Sequence, residues 1–331
     1  MESVKETRNQ HPLITMASWG KLNDAGEYHP LVDHMLDVAA CFYAASQTTA
    51  IRRALTEAAG RPLLELDILR LTALAFLHDV GKANAGFQAK RWAVLGQPPP
   101  KGWPLPAGHT AEALGIFDDE KLLEPLPTEE MDLWGPACSG LWLASISHHG
   151  RPVSGSSGPL LWRPVVSNGE VVYDPHATLS EIGQCLRAWF GGAFMSGPEL
   201  PSSPQFAHLF AGLVQFSDWL GSDTRDDFFP FSQPGEDRNQ RVWQRAREAV
   251  ENIGVDPTKW RRALPAEPNF STIFNVISPR PIQDRMAASD LGRLLILESE
   301  TGSGKTEAAL WRFARLFQTA QVDSLYFALP T

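Results

Sequence analysis

The chain has 331 residues, 43% hydrophobic and 20% charged, the balance of a soluble globular protein of one or two domains. No run approaches the ~18 apolar residues of a bilayer span, and the polar start MESVKETRNQHP has no apolar signal region, so a cytoplasmic protein without membrane contact is expected. The net charge of −9 argues against a wholly basic nucleic-acid binder but leaves room for a local basic groove, and the three scattered cysteines, Cys41, Cys138 and Cys185, argue against a disulfide framework or zinc ribbon.

In chain order, PLVDHMLDVAACFYAAS from Pro30 to about Ser46 carries Leu31, Met35, Val38 and Phe42 at helical spacing. LELDILRLTALAFLHDV, from Leu64 to Val80, reads as a helix apolar on most sides and hence buried, with Gly81 as a left-handed stop. A helix should begin near Thr110, and another, GLWLASIS, ends at His148-His149-Gly150. Arg151 to His176 is rich in Gly, Ser and Pro and reads as a long loop with room for a short hairpin. FAHLFAGLVQFSDWL is helical again, with Leu209, Leu213, Phe216 and Leu220 as its apolar stripe and Asp218 opposite. Gly221 to Gln240 is a polar loop, and RVWQRAREAVENIG is an amphipathic helix ended by Gly254.

After about residue 270 the pattern changes. RLLILES suits a buried parallel strand, TGSGKTEAALWRFARLF is a glycine loop opening a helix, and DSLYFALPT starts a second strand. This is the opening of a parallel α/β domain. The expected organisation is a helical domain over 1–255, followed by a linker and domain fragment over 256–331.

Several helices of the first domain deliver metal-capable groups from apolar surroundings: His34, His78-Asp79, His109, His148-His149 and Asp218. Taken singly, each is accounted for by a cap or a core position. Taken jointly, they look like one polyhistidine–carboxylate metal site in a helical core. Five imidazoles and two carboxylates exceed the needs of one closed tetrahedral ion and suit two ions sharing a bridging carboxylate. His11, His29, His176 and His208 read as surface or structural residues.

The order His, His-Asp-x-Gly-Lys, His, His-His, Asp resembles the HD superfamily of metal-dependent phosphohydrolases. HMLDVAA, LHDVGK, SHHG and SDWLGSD are more closely similar to the nuclease domain of the helicase–nuclease of type I CRISPR interference systems, over about residues 28–223. The resemblance implies a mainly α, HD-superfamily helical domain. It places His34, His78, Asp79 and Asp218 around one ion, and Asp79, as bridge, with His109, His148 and His149 around the other. It also puts Lys82, the motif lysine, next to phosphate charge.

SETGSGKT, Ser299 to Thr306, follows a predicted strand and opens a predicted helix, the context of a phosphate-binding loop. Serine stands at 299 where the pattern wants glycine, a departure shared with the superfamily 2 helicases this segment resembles. Gly302 and Gly304 would let backbone N–H groups wrap phosphate, Lys305 would reach the β- and γ-phosphates, and Thr306 the Mg²⁺. Gln283 in SPRPIQ matches the adenine-reading glutamine of such helicases. The resemblance implies a truncated RecA-like α/β segment, with ATP and Mg²⁺ used by the full-length helicase and no ATP turnover by this chain alone.

Imidazole-rich ligands favour two divalent transition ions, Mn, Fe, Co, Ni or Zn, over Mg. The activity this resemblance implies is cleavage of single-stranded DNA without base readout. The partners it implies are the guide-RNA surveillance complex (Cascade) and the displaced strand of its R-loop. A nucleotide phosphohydrolase, or an interaction module with a structural metal centre, are the alternatives. The loops 151–176 and 221–240 flank ligand-bearing helices and are candidate contacts for the partner.

Overall fold

In a computed structural model of the chain, residues 16–155, 158–233, 236–288 and 290–328 are described. The chain divides into two compact units, Met1–Ile253 and Gly254–Thr331. His11 lies outside the described residues.

The first unit is mainly α. A short antiparallel ribbon, β1 (Trp19–Leu22) with β2 (Tyr28–Pro30), leads into α1 (Leu31–Ser46). Every residue of α1 except Asp33 and Tyr43 is buried, which goes beyond the Leu31–Met35–Val38–Phe42 spacing. It is the central helix, followed by α2 (Thr49–Ala59) and α3 (Glu65–Phe76). Beyond the site turn come α4 (Ala85–Gln88), α5 (Lys90–Val94), α6 (Leu114–Phe117), α7 (Glu120–Leu123), α8 (Thr128–Asp132) and α9 (Cys138–Ile146). A hairpin of β3 (Val165–Ser167) and β4 (Glu170–Tyr173) precedes α10 (Pro175–Trp189), α11 (Pro204–Gly221) and α12 (Arg238–Asn252). Helices α3, α11 and α12 pack on α1, and α9 packs on α11.

Four local expectations are corrected. The helix entering His78 stops at Phe76, and Leu77–Ala83 forms a 3-10 turn in which Asp79 leaves helical dihedrals (φ −106°, ψ 17°). Neighbouring residues on an α-helix point about 100° apart, so turning both His78 and Asp79 inward needs this break. Near Thr110 there is a turn, and the helix there begins only at Leu114. The buried stripe of α11 is Phe206, Phe210, Leu213, Val214, Ser217 and Leu220, with Leu209 and Phe216 only half-buried. Asp218 therefore flanks this stripe instead of opposing it. Within the expected loop 151–176, Pro175 already begins α10, capped by the Asp174 carboxylate, which accepts from the His176 N–H at 3.0 Å.

α12 is anchored to α1 by charge. Arg238 donates from Nε and Nη2 to the two oxygens of Asp37, both at 2.8 Å, and His29 Nε2 pairs with Asp37 at 2.9 Å. His29 is thus a buried structural histidine, whereas His176 and His208 are exposed.

The second unit carries α13 (Thr258–Ala263), α14 (Phe270–Phe274), α15 (Pro281–Met286) and α16 (Lys305–Gln318). Its core is Phe270, Ala287, Trp311 and Ala314, with Phe274 against them. The two expected strands are not paired: among the described residues this unit has no β-ladder. Leu294, Ile296 and Tyr326 stand 84%, 82% and 92% exposed. An apolar run becomes a buried strand only when neighbours supply its hydrogen bonds and cover its faces.

Among the described residues no helix is long and apolar enough to cross a membrane.

Candidate metal centre and nucleotide loop

The seven predicted ligands of the first unit come together. Ligand atoms of His34, His78, Asp79 and Asp218 all lie within 4.8 Å of one another, and so do those of His109, His148 and His149. α1 supplies His34, the 3-10 turn His78 and Asp79, the turn before α6 His109, the end of α9 His148 and His149, and α11 Asp218.

Asp79 joins the two groups. Its Oδ2 lies 3.0 Å from His34 Nε2 and 3.2 Å from His78 Nε2; its Oδ1 lies 3.2 Å from His109 Nε2 and 3.7 Å from His148 Nε2. Asp218 Oδ1 is 3.5 Å from His34 Nε2 and 3.7 Å from His78 Nε2. His149 Nε2 and His109 Nε2 are 3.1 Å apart. Metal–nitrogen bonds of about 2.0–2.1 Å in a tetrahedron place neighbouring ligands about 3.3 Å apart, so these spacings fit ligands sharing ions.

The tautomers fit as well. His78 Nδ1 donates to the Ala75 carbonyl at 2.9 Å and His148 Nδ1 to the Ser145 carbonyl at 3.0 Å. Each ring is thereby oriented with its Nε2 turned toward the cluster. His78 Nε2 and Asp79 Oδ1 are buried and have no hydrogen-bond partner. Orphaned atoms of this kind are costly unless something else satisfies them, and a cation would do so here.

Burial pushes His34 well below the usual imidazole range, His109 to about 3 and His148 to about 4. All three are neutral near pH 7, with lone pairs free for a metal. Burial alone would raise the Asp79 carboxyl, but the Lys82 ammonium, 2.6 Å from its Oδ2, is the largest of the influences that hold it well below its usual range. At Asp218, burial is again opposed, chiefly by the His78 ring, and the carboxyl sits at about 2. Both carboxylates are ionised at neutral pH.

Buried amides hold the turns together. Asn84 donates to the carbonyls of Gly81 (2.8 Å) and Gly108 (2.9 Å). Gln88 accepts from the Trp19 N–H (3.0 Å) and donates to the carbonyls of Trp19 (3.0 Å) and Lys82 (2.8 Å). Tyr173 donates to the Ala83 carbonyl at 2.7 Å. Gly81 is not left-handed, contrary to its expected role: a Cβ there would overlap the His109 carbonyl oxygen.

Sequence reasoning missed Lys21, which donates to Ser222 Oγ, which in turn donates to Asp218 Oδ1 at 3.0 Å. The sequence singles it out only by its place, one residue beyond Gly20 and ahead of the first ligand helix. Burial lowers the pKa of its ammonium, as does nearby Lys82. Asn84 and Gln88 were missed too, although two amides within the nine residues after a His-Asp pair are a readable signal.

In the second unit, Gly302 and Gly304 adopt φ of 79° and 87°, a region open to glycine. Lys305 donates to the carbonyls of Ser299 (2.6 Å) and Glu300 (2.8 Å), curled over its own loop. Gln283 Nε2 donates to the Gly304 carbonyl at 3.1 Å, and a Cβ on Gly304 would overlap that amide. Thr306 is exposed on the first turn of α16. Gln283 thus lies against the loop that carries Gly302, Gly304, Lys305 and Thr306.

Residues 19–227 match the family described as "Cas3, HD domain". The chain is 29% identical over 328 residues to the CRISPR-associated endonuclease/helicase Cas3 of Thermus thermophilus, covering 96% of this chain and 34% of that protein. It is 28% identical over 352 residues to the Escherichia coli protein of the same description, covering 95% and 38%. It therefore spans about a third of the length of these relatives. In fold it is similar to the crystal structure of T. fusca Cas3-AMPPNP, with a TM-score of 0.60 and 22% identity, over 97% of this chain and 36% of that one. The family match spans more than half of the chain and contains all seven clustered candidate ligands; the chain belongs to the Cas3 HD-domain family.

Proposed function

We propose that the first unit is a metal-dependent nuclease domain that hydrolyses phosphodiester bonds of single-stranded DNA. The observation that carries this reading is the Asp79 carboxylate, which faces one ligand group with each oxygen. His34, His78, Asp79 and Asp218 would hold one divalent ion; His109, His148 and His149, with Asp79, would hold the second. Such ions supply Lewis acidity toward phosphoryl oxygen and acidify a water nucleophile, and the imidazole-rich donors favour Mn, Fe, Co, Ni or Zn over Mg.

The chain's own residues do the positioning. The backbone acceptors of His78 and His148 hold those rings in one tautomer and one orientation. Lys82, fixed between Asp79 and the Gly20 carbonyl at 3.1 Å, sets a cation beside charge that develops on the phosphoryl oxygens. His149 is exposed and Asp218 partly so, which leaves the cluster an open side for a strand. Among the described residues no recognised base-reading module stands beside the cluster, so cleavage would be independent of sequence.

The relatives are described as endonuclease/helicase proteins. By analogy, 256–331 would be the start of an ATP-driven helicase domain, with Gln283, Gly302, Gly304, Lys305 and Thr306 as its nucleotide contacts. The implied setting is type I CRISPR interference, in which a Cascade surveillance complex with its guide RNA presents the displaced strand of an R-loop. A chain of net charge −9 gains little non-specific affinity for DNA, and recruitment would supply effective concentration instead.

The test is cleavage of a labelled single strand, with dNTPs as competing substrates and a chelator control. Metal-dependent DNA cleavage lost in Asp79→Ala is expected. Hydrolysis of dNTPs without DNA cleavage would replace this reading by a nucleotide phosphohydrolase.

A further inference from the structure

Lys21 lies on β1, which Gly20 lets run directly over the first ligand: a Cβ at Gly20 would stand 2.9 Å from His34 Cβ. The Gly20 carbonyl also receives Lys82. Two lysines therefore reach the ligand cluster past one backbone segment, and they end differently. Lys82 Nζ is paired with the Asp79 carboxylate at 2.6 Å. Lys21 Nζ meets the neutral hydroxyl of Ser222, one step removed from Asp218. Among the described residues this is the ammonium's one hydrogen bond, and no carboxylate lies within ion-pair distance of it.

An ammonium has three donors, so two remain. The Asp218 carboxylate beyond Ser222 would be shared with a divalent ion, so a half-buried ammonium here still favours a further anion. The anion that a strand brings is a phosphodiester, with one negative charge and two non-bridging oxygens. Lys82 cannot serve both roles from one position, because its ammonium is committed to the bridging carboxylate.

We propose that Lys21 binds a backbone phosphate of the substrate strand at the Asp218 side of the metal centre, making it a substrate-binding residue separate from Lys82. This rests on the nuclease reading. A purely structural role, holding Ser222 and Asp218 in place, is the competing account, and salt dependence separates the two. Each phosphate contact on a single strand contributes about 0.7 to the slope of log affinity against log salt; a prop for Asp218 contributes none.

The experiment compares wild type, Lys21→Gln and Lys21→Arg in the full chain, loaded with Mn²⁺ and checked for folding by circular dichroism and for metal content by mass spectrometry. KM and kcat for a short labelled single strand are measured across a KCl series. Gln removes the charge yet keeps a donor for Ser222. The expected result for Lys21→Gln is a roughly tenfold rise in KM, a salt slope lower by about 0.7, little change in kcat and unchanged metal content, with Lys21→Arg close to wild type. An unchanged slope, whether or not metal content falls, overturns the proposal and leaves Lys21 a structural residue. Absence of cleavage by metal-loaded wild type would remove the nuclease reading and this inference together.

Discussion

The backbone of Gly81 lies flush against the carbonyl of His109, so close that a Cβ on Gly81 would overlap the oxygen. This contact joins the 3-10 turn bearing Asp79 to the turn bearing His109, 28 positions further along the chain.

Gly81→Ala should therefore push the His109 turn away from Asp79. Overpacking of this kind costs about 1–3 kcal/mol, which the unit should survive. The expected outcome is a folded protein whose bound metal falls from two ions toward one, with cleavage reduced at least about tenfold. Metal stoichiometry by mass spectrometry checks it; two ions retained at wild-type spacing would contradict the bridged arrangement.

Asp79→Asn should be more severe, since both ligand groups lose their shared oxygen charge. Loss of both ions and a fall in activity beyond the roughly 10–100-fold seen for outer-shell changes are expected. Asp218→Asn should lower occupancy of the His34–His78 side alone. Metal titration by calorimetry on the two variants separates the cases.

Lys82→Met should leave Asp79 buried without its ammonium partner. Removing one member of a buried pair costs about 3–5 kcal/mol, so the chelated variant should melt well below wild type. Added Mn²⁺ replaces the missing positive charge and stabilises only the folded state. The metal-induced rise in Tm should thus be larger in Lys82→Met than in wild type, while activity is lower. Equal rises would mean that Lys82 does not balance the Asp79 charge.

Tyr173 gives a pH prediction away from the ligands. Burial pushes its phenol up to about 12, above the ordinary value of about 10. Between those values the folded state holds a proton that the unfolded state releases, so stability is full below pH 10 and falls as pH rises through 12. Alkaline unfolding followed by absorbance at 295 nm should show this phenol ionising with the transition. Tyr173→Phe should remove that component and, by losing the bond to the Ala83 carbonyl, cost about 1 kcal/mol.

The clustering residues proposed as ligands and much of the helical frame were legible in the sequence. His34 sits in a helix with apolar residues at helical spacing, and His78-Asp79 and His148-His149 each close an apolar helix, because 3.6-residue periodicity and polar groups within apolar runs are local signals. The glycine loop before α16 was legible for the same reason: φ values of 79° and 87° at Gly302 and Gly304 need glycine whatever packs around them. What the sequence could not supply is contact at long range. Gly81 looks like a helix stop and is instead a clearance for His109; Asp218 looks opposite a stripe and instead flanks it; Lys21 is marked only by its place after Gly20. The tertiary structure decided these, because which nitrogen meets which oxygen depends on how distant turns are pressed together. It also left RLLILES unpaired, since periodicity states only that a segment could be a strand, while a ladder needs a partner.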